Sequence, residues 1–413
     1  MAYYRKDRGA LWIGPESGWG DGSAALVYVK TKEIKTSMGM EYNDPQNITQ
    51  SDVEDQGSIL YQPGDCGFKM GLHPFTSTWP SAAPLIGNKP PVSEVLESLL
   101  GGTKAGGYGV TTTGNTTTVL QFDNAGDSPT TLGFVEGEGV FVREPSAANV
   151  LGYNVISDVD DAAFTITLRS PLPSAPADAS IVYGGFSNPK LASSSSSSYE
   201  VIWKGESTTD IRQHLACIPS AASLSAPYRG LAELDVTYRS ARPVPMDLVT
   251  THVPADQAYA YPEAAQVLFG GLYLYDGVTS HKLTGGIDID FGVESADVAG
   301  IHGVDPNGVA DILLNQRKIR VKVNPAYADN ALIDLFENPP ASAVLTGWWG
   351  RGSRPWGFQI PAAVIAAPPE FGDDGGILNH GFEIGTGAYT GDTGSGGESD
   401  AADKPFVISV LAG

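Results

Sequence analysis

ILYQPGDCGFKMGLHPFTSTWPSAAPLIGNKPPVSEVLESLLGG, residues 59–102, runs through an apolar strand, a turn, a second strand, a long Pro-rich loop and a short helix. Phe68, Met70 and Leu72 alternate with Lys69 and Gly71, the period-2 pattern that puts three apolar side chains on one face of a strand. Five prolines (74, 80, 84, 90 and 91) then fill the loop His73–Pro91, beside Phe75 and Trp79. A loop of that length in a compact domain is a functional or contact element. The helix predicted at Val92–Leu100 follows Pro90–Pro91, carries Ser93 and Glu94 in its first turn and stops at Gly101–Gly102. Val92, Val95, Leu96, Leu99 and Leu100 share one face, which reads as packing on a sheet.

A similar order returns in ADILLNQRKIRVKVNPAYADNALIDLFENP, residues 310–339. Ile319, Val321 and Val323 alternate before Pro325, and Asp329–Phe336 is the matching helix. One strand–loop–helix unit therefore occurs twice, with the loop cut to a few residues in the second copy.

Composition agrees with short strands and many turns. The 413 residues include 50 Gly and 29 Pro, and only 17% are charged. An apolar fraction of 41% is enough for real cores. The net charge of −22 is spread along the chain, which argues against a basic footprint for gripping phosphates or anionic membranes. Two cysteines, Cys66 and Cys217, are too few for a disulfide framework and read as buried thiols in a reducing compartment. MAYYRKDRGALWIG lacks an apolar run of signal-peptide length, and no segment approaches ~18 uninterrupted apolar residues. The expectation is a chain made and folded in a cytoplasm.

Gly18, Gly20 and Gly22 mimic a phosphate cradle, but a strand (Ala24–Lys30) follows where a dinucleotide fingerprint needs a helix. Residues 105–192 read as a small all-β insert, entered through GGTKAGGYG and left through the serine run Ser193–Ser198. Its Asp158, Asp160 and Asp161 lack the glycine and distal glutamate of a calcium loop, so they read as a solvated turn. The Pro/Ala-rich run 254–265 is the preferred boundary between halves, giving four segments: 1–104, 105–192, 193–260 and 261–413.

In the second half, Ile287, Ile289 and Phe291 alternate with Asp288 and Asp290, a half-buried strand whose carboxylates have no nucleophile or general acid beside them. Lys318, Arg320 and Lys322 make the densest basic alternation in the chain, expected to meet the acidic face of an assembly partner rather than DNA. Trp348, Trp349 and Trp356 cluster with Arg351 and Arg354, as interface anchors do; a sugar-binding platform is the competing reading. Residues 372–400 form a Gly/Asp/Ser-rich acidic loop before the final apolar strand PFVISVLAG. GxSxG, HExxH, P-loop and CxxC motifs are absent, and six histidines stand singly without ligand spacing. The chain reads as a non-enzyme with no catalytic residues, metal or cofactor.

Taken in order, GPESGWGDGSAAL, LLGGTKAG, YLYDG, KLTGGIDIDFGVESADVAGI, PWGFQIPAAVIAAPPEF and the closing FVISVL resemble the major tail tube proteins of tailed bacteriophages, and the insert is similar to a β module found inside such proteins. The resemblance covers nearly the whole chain. It implies a mainly β chain: two tandem tube-type β-sandwich or partial-barrel folds, each with one flanking helix, plus the small all-β insert on the outside. It also implies self-assembly into homotrimeric rings of pseudo-sixfold symmetry, stacked into a tube in the virion. Its strands holding Phe68, Met70, Leu72, Ile319, Val321 and Val323 would line a shared barrel, and Phe75, Trp79 and the Trp348/Trp349/Trp356 cluster with Arg351 and Arg354 would make assembly contacts. The partners implied are the tape measure protein, the tail terminator and the baseplate or tip proteins, with DNA passing through unbound and no membrane. The alternative from another class is a β-rich receptor- or glycan-binding tail or surface protein.

Overall fold

The computed structural model describes residues 10–22, 26–43, 58–72, 90–101, 109–123, 128–145, 150–189, 198–205, 211–227, 230, 232–244, 269–283, 285–299, 309–327, 334–335, 337–340, 343–349, 355–374, 377–387 and 405–411. The chain is mainly β. Strands β1 (Ala10–Pro15), β2 (Val27–Val29), β3 (Thr31–Asn43) and β4 (Ser58–Gly71) precede helix α1 (Pro91–Leu100). Then come β5 (Val110–Thr113), β6 (Val119–Phe122), β7 (Gly139–Arg143), β8 (Val150–Asp160), β9 (Thr165–Leu168) and β10 (Ile181–Gly184). The first half closes with β11 (Phe186–Pro189), β12 (Tyr199–Lys204), β13 (Ile211–Ala226) and β14 (Glu233–Val244). The second half begins with β15 (Phe269–Tyr275), β16 (Ser280–Leu283), β17 (Gly286–Asp290), β18 (Val293–Ala299), β19 (Val309–Arg317) and β20 (Arg320–Tyr327). It ends with β21 (Val344–Trp349), β22 (Trp356–Ile360), β23 (Ala363–Asp374), β24 (Ile377–Thr386) and β25 (Val407–Val410).

The largest sheet has 11 strands, all antiparallel to their neighbours. One path across it runs β3-β4-β14-β13-β17-β20-β24-β23. β13 is long enough to hold two partners on one edge: its first part pairs with β12, and Ser223–Ala226 pairs with Ile287–Asp290 of β17. The path therefore divides into two sets of four strands with one connectivity. In each, strands one and two form a pair, strand four follows strand two, and strand three takes the outside. Helical residues follow the second strand both times, α1 after β4 and residues 334, 335 and 337 after β20. The remainder of the helix predicted at Asp329–Phe336 lies outside the described residues.

The repeated strand unit predicted around Phe68 and Val321 is thus embedded in a repeated sheet. The two halves share that sheet through β13–β17. They also share the opposite six-stranded one, β11-β25-β22-β21-β15-β16, in which β11 comes from the first half.

Between the sheets lies the core. Phe68, Met70, Leu72, Ile319, Val321 and Val323 are all buried and face it, together with Phe358 and Ile408 of the second sheet and Phe406 just before β25. Helix α1 is predicted to pack one apolar face on a sheet. Instead it is enclosed: nine of its ten residues are buried, including Ser93, Glu94 and Ser98. It touches β1, β2 and β13 on one side and β11 on the other. That second cover explains why its polar positions are small or satisfied. Ser98 Oγ donates to the Val95 carbonyl at 2.7 Å and lies 2.6 Å from the Tyr238 hydroxyl.

Strands β5–β10 close into a six-stranded barrel with its own core around Leu120, Phe134, Val140 and Ile166. Its strands fall between Val110 and Gly184, inside the segment that the Gly-rich joint and the serine run set apart. The barrel does more than decorate. Tyr153 of β8 is 1% exposed, and its hydroxyl lies 2.8 Å from Ser409 Oγ of β25. Gln359 Nε2 donates to Asn154 Oδ1 at 2.8 Å. Gly357 is required at this seam, since a Cβ there would stand 2.5 Å from the Tyr153 ring. Phe141, Val155, Trp348, Val407 and Leu411 form one buried cluster across it. Deleting residues 109–185 is therefore expected to uncover the apolar outer face of the six-stranded sheet and send the chain into the insoluble fraction. Solubility and size-exclusion of the deletion chain check this, and a soluble folded product would show the barrel to be an ornament.

Candidate functional site

Strands alternate their side chains, so the apolar face of the eight-strand path dictates the opposite one. That opposite face is charged, and register decides who meets whom. Lys69 stands opposite Glu33 on one side and Asp235 on the other. Its Nζ lies 3.8 Å from Glu33 Oε2 and 3.5 Å from Asp235 Oδ2. At the corresponding place in the second half, Lys322 stands opposite Asp288 and Glu383. An acid–lysine–acid row thus occurs once in each half, at the same strands of the repeat.

Three other cations, Lys32, Arg320 and Arg239, are likewise matched. Lys32 pairs with Glu233, and Arg320 with Glu383. Arg239 Nη2 lies 2.9 Å from Asp297 Oδ2 and Nη1 lies 3.2 Å from Asp65 Oδ1. The hydrogen bond to Asp297 is the main reason the Arg239 guanidinium is held above its ordinary pKa. This contact ties the first half to the hairpin β18–β19 of the second. Exposed pairs of this kind are worth only ~0–1 kcal/mol each. Their effect is on the surface field: each of these cations has a carboxylate beside it.

The basic alternation Lys318, Arg320, Lys322 was expected to meet a partner's acids. Within the chain Arg320 pairs with Glu383, Lys322 lies in register between two carboxylates, and Lys318 is exposed. Period-2 charge was legible in the sequence; the pairing was not, because Asp288, Lys322 and Glu383 come from three strands far apart in the chain.

The tryptophan cluster is placed otherwise than expected. Trp348, Trp349 and Trp356 are 3%, 1% and 0% exposed, so they serve neither as surface anchors nor as a sugar platform. Trp349 stacks on Trp356 at 4.5 Å in the core, and Trp348 stacks on Tyr273 at 5.5 Å beneath the barrel. Phe75, Trp79, Arg351 and Arg354 lie outside the described residues. The six residues proposed to mark shared-barrel strands do sit on β4 and β20 or at their ends, but their side chains point to the core. The alternate residues Lys69, Arg320 and Lys322 make the open face.

An open cleft of about 790 Å³ lies along β3, β4 and β14, with Trp203 and Arg212 on its wall. Arg212 Nη1 donates to Thr36 Oγ1 at 2.8 Å and its guanidinium lies 5.6 Å from the Trp203 ring centroid. Among the described residues no three His, Cys, Asp or Glu side chains come together as a metal site, and no helix is long and apolar enough to cross a membrane. Cys66 and Cys217 are buried thiols; burial first, then the Asp65 charge, pushes Cys66 up to about 12.

His214 is 1% exposed, and neither ring nitrogen has a hydrogen-bond partner. Burial first, and the Arg212 charge second, lower its pKa from 6.5 to about 4. Below pH 6.5 the unfolded chain takes up a proton that the folded chain refuses until about pH 4. Stability is therefore lost as pH falls through that window, by ~3 kcal/mol in all. His214→Leu is expected to remove one proton's worth of that slope in denaturant melts; an unchanged slope would show that His214 protonates in place.

No protein-family model matches this chain, and no curated protein matches it in sequence.

Proposed function

We propose that this chain is the subunit of a phage tail tube: a structural protein of the virion that assembles into stacked rings through which DNA leaves. The observation that carries this reading is the repeat itself. Two four-strand sets of identical connectivity are already joined edge to edge in one sheet, and the path ends in two edges, β3 and β23, that pair with nothing further among the described residues. A unit that continues its own repeat closes as a ring when another copy supplies the next set, and closure removes the exposed edges.

Three chains contribute three times the eight strands of the path, a barrel of about 24 strands. With ~4.8 Å between strands and a tilt of about 40°, such a barrel measures roughly 48 Å across its backbone. With side chains on both walls the bore still admits a DNA duplex. With the apolar face turned to the core, the charged face is the one turned to the bore. Phosphates bind where cations are free to replace counterions. A wall on which Lys32, Lys69, Arg239 and Arg320 stand beside carboxylates, in a chain of net charge −22, offers them little. The family resemblance supports the same assembly and adds its partners, the tape measure, terminator and baseplate or tip proteins.

Negative-stain microscopy of the purified chain tests this. Rings or tubes with a stain-filled centre are expected; a monodisperse monomer across a wide concentration range overturns the reading.

A further inference from the structure

We infer that β23 of one copy pairs antiparallel with β3 of a second copy, in the register that β13 and β17 set inside the chain, with Ala367 opposite Lys35. The inference rests on the ring reading and deepens it by naming the contact.

The register follows from the charge rows. Glu33, Lys69 and Asp235 correspond to Asp288, Lys322 and Glu383, which fixes the correspondence along every strand of the repeat. Asp290 stands opposite Arg320, two residues before Lys322, so its counterpart on β3 is Lys35, opposite Gly67. Ser223 stands opposite Asp235 on β14, so its counterpart on β23 is Ala367, opposite Glu383. Ser223 pairs with Asp290 within the chain. The same joint between chains brings Ala367 against Lys35.

The β23 edge is selective about what it pairs with. On β23, Pro368 and Pro369 fall in the bulge between Ala367 and Glu370. Proline has no N–H, so this edge rejects an arbitrary strand, and a ladder with β3 draws its β23 donors from residues other than Pro368 and Pro369. Within one chain the two edges are separated by the six strands between them, roughly 34 Å, so they cannot meet in the monomer.

Opposed residues of antiparallel strands have Cα atoms ~4.5–5.5 Å apart, inside disulfide range. Lys35→Cys/Ala367→Cys, oxidised with copper phenanthroline after assembly, is expected to give non-reducing bands at multiples of 43.3 kDa, up to the ring number. Native Cys66 and Cys217 are buried and stay silent. A mixture of the two single variants is expected to give dimers, and neither single variant alone to give any. Rings that form without this cross-link overturn the register and leave the tube reading standing. Cross-linking of Lys35→Cys alone overturns it too, since it means a two-fold β3–β3 contact. Absence of any assembly in the unmodified chain sinks both.

Discussion

Leu96→Asp is expected to abolish the folded protein. Leu96 is 0% exposed on α1, the helix enclosed by both sheets. Truncating a buried leucine costs about 2–5 kcal/mol. A carboxylate in that position has no cation to pair with on the helix, whose last turn carries no basic residue. Burying it adds several kcal/mol more, or forces protonation. Together these approach the whole stability of an ordinary domain, about 5–15 kcal/mol. Insolubility, or loss of a cooperative melt, is the expected measurement. Leu96→Met, which preserves volume and apolarity, is expected to cost under about 1.5 kcal/mol and to melt cooperatively. A soluble Leu96→Asp chain with native strand content would mean that α1 opens to water, contrary to its double cover.

How α1 was readable, and how its neighbours were not, follows from range. Pro91 at the helix start, the 3.6-period leucines and Gly101 at φ 93 are local signals, so the helix begins within a residue of its expected place. Strands β4 and β20 were equally legible from Phe68-Met70-Leu72 and Ile319-Val321-Val323, because alternation is written in adjacent residues. What covers an element is another matter. Nothing near Trp348 tells that Tyr153 and Phe141, from a barrel some two hundred positions earlier, close over it. A Trp–Arg cluster in a Gly-rich run therefore looked like a surface anchor.

The same holds for charge. Asp288 and Lys322 each showed an exposed strand face, yet only register shows that they share a row, and that the row repeats at Glu33, Lys69 and Asp235. The joint of β13 with β17 is a non-local pairing with no local signature. It is also the feature that turns two similar halves into one sheet. The repeat was visible as a motif, and the single sheet that its two copies share came only from the strand order.

Reversing the row charges is the stronger test of what the open face does. Glu33→Lys, Asp235→Lys, Asp288→Lys and Glu383→Lys together raise the charge of that face by two units per site and leave the core side untouched. Glu33 and Asp235 side chains are 51% and 43% exposed, so the cost to folding is small next to the change in field. Asp288 gives up its hydrogen bond from Ser225 (2.6 Å), and Glu383 its pair with Arg320, each a loss of the order of 1 kcal/mol. If the face lines the bore, tubes of the variant present rings of unpaired lysines to a DNA strand inside. Each phosphate then neutralised makes log K fall with log[salt] by ~0.9, so six to ten contacts are lost again over ~10³–10⁵ in affinity between 50 and 200 mM salt. Short duplex DNA is therefore expected to co-sediment with variant tubes at low salt, to be released at high salt, and to pass unretained with the unmodified chain. Variant tubes that assemble and retain no more DNA than the parent would place this face away from the bore.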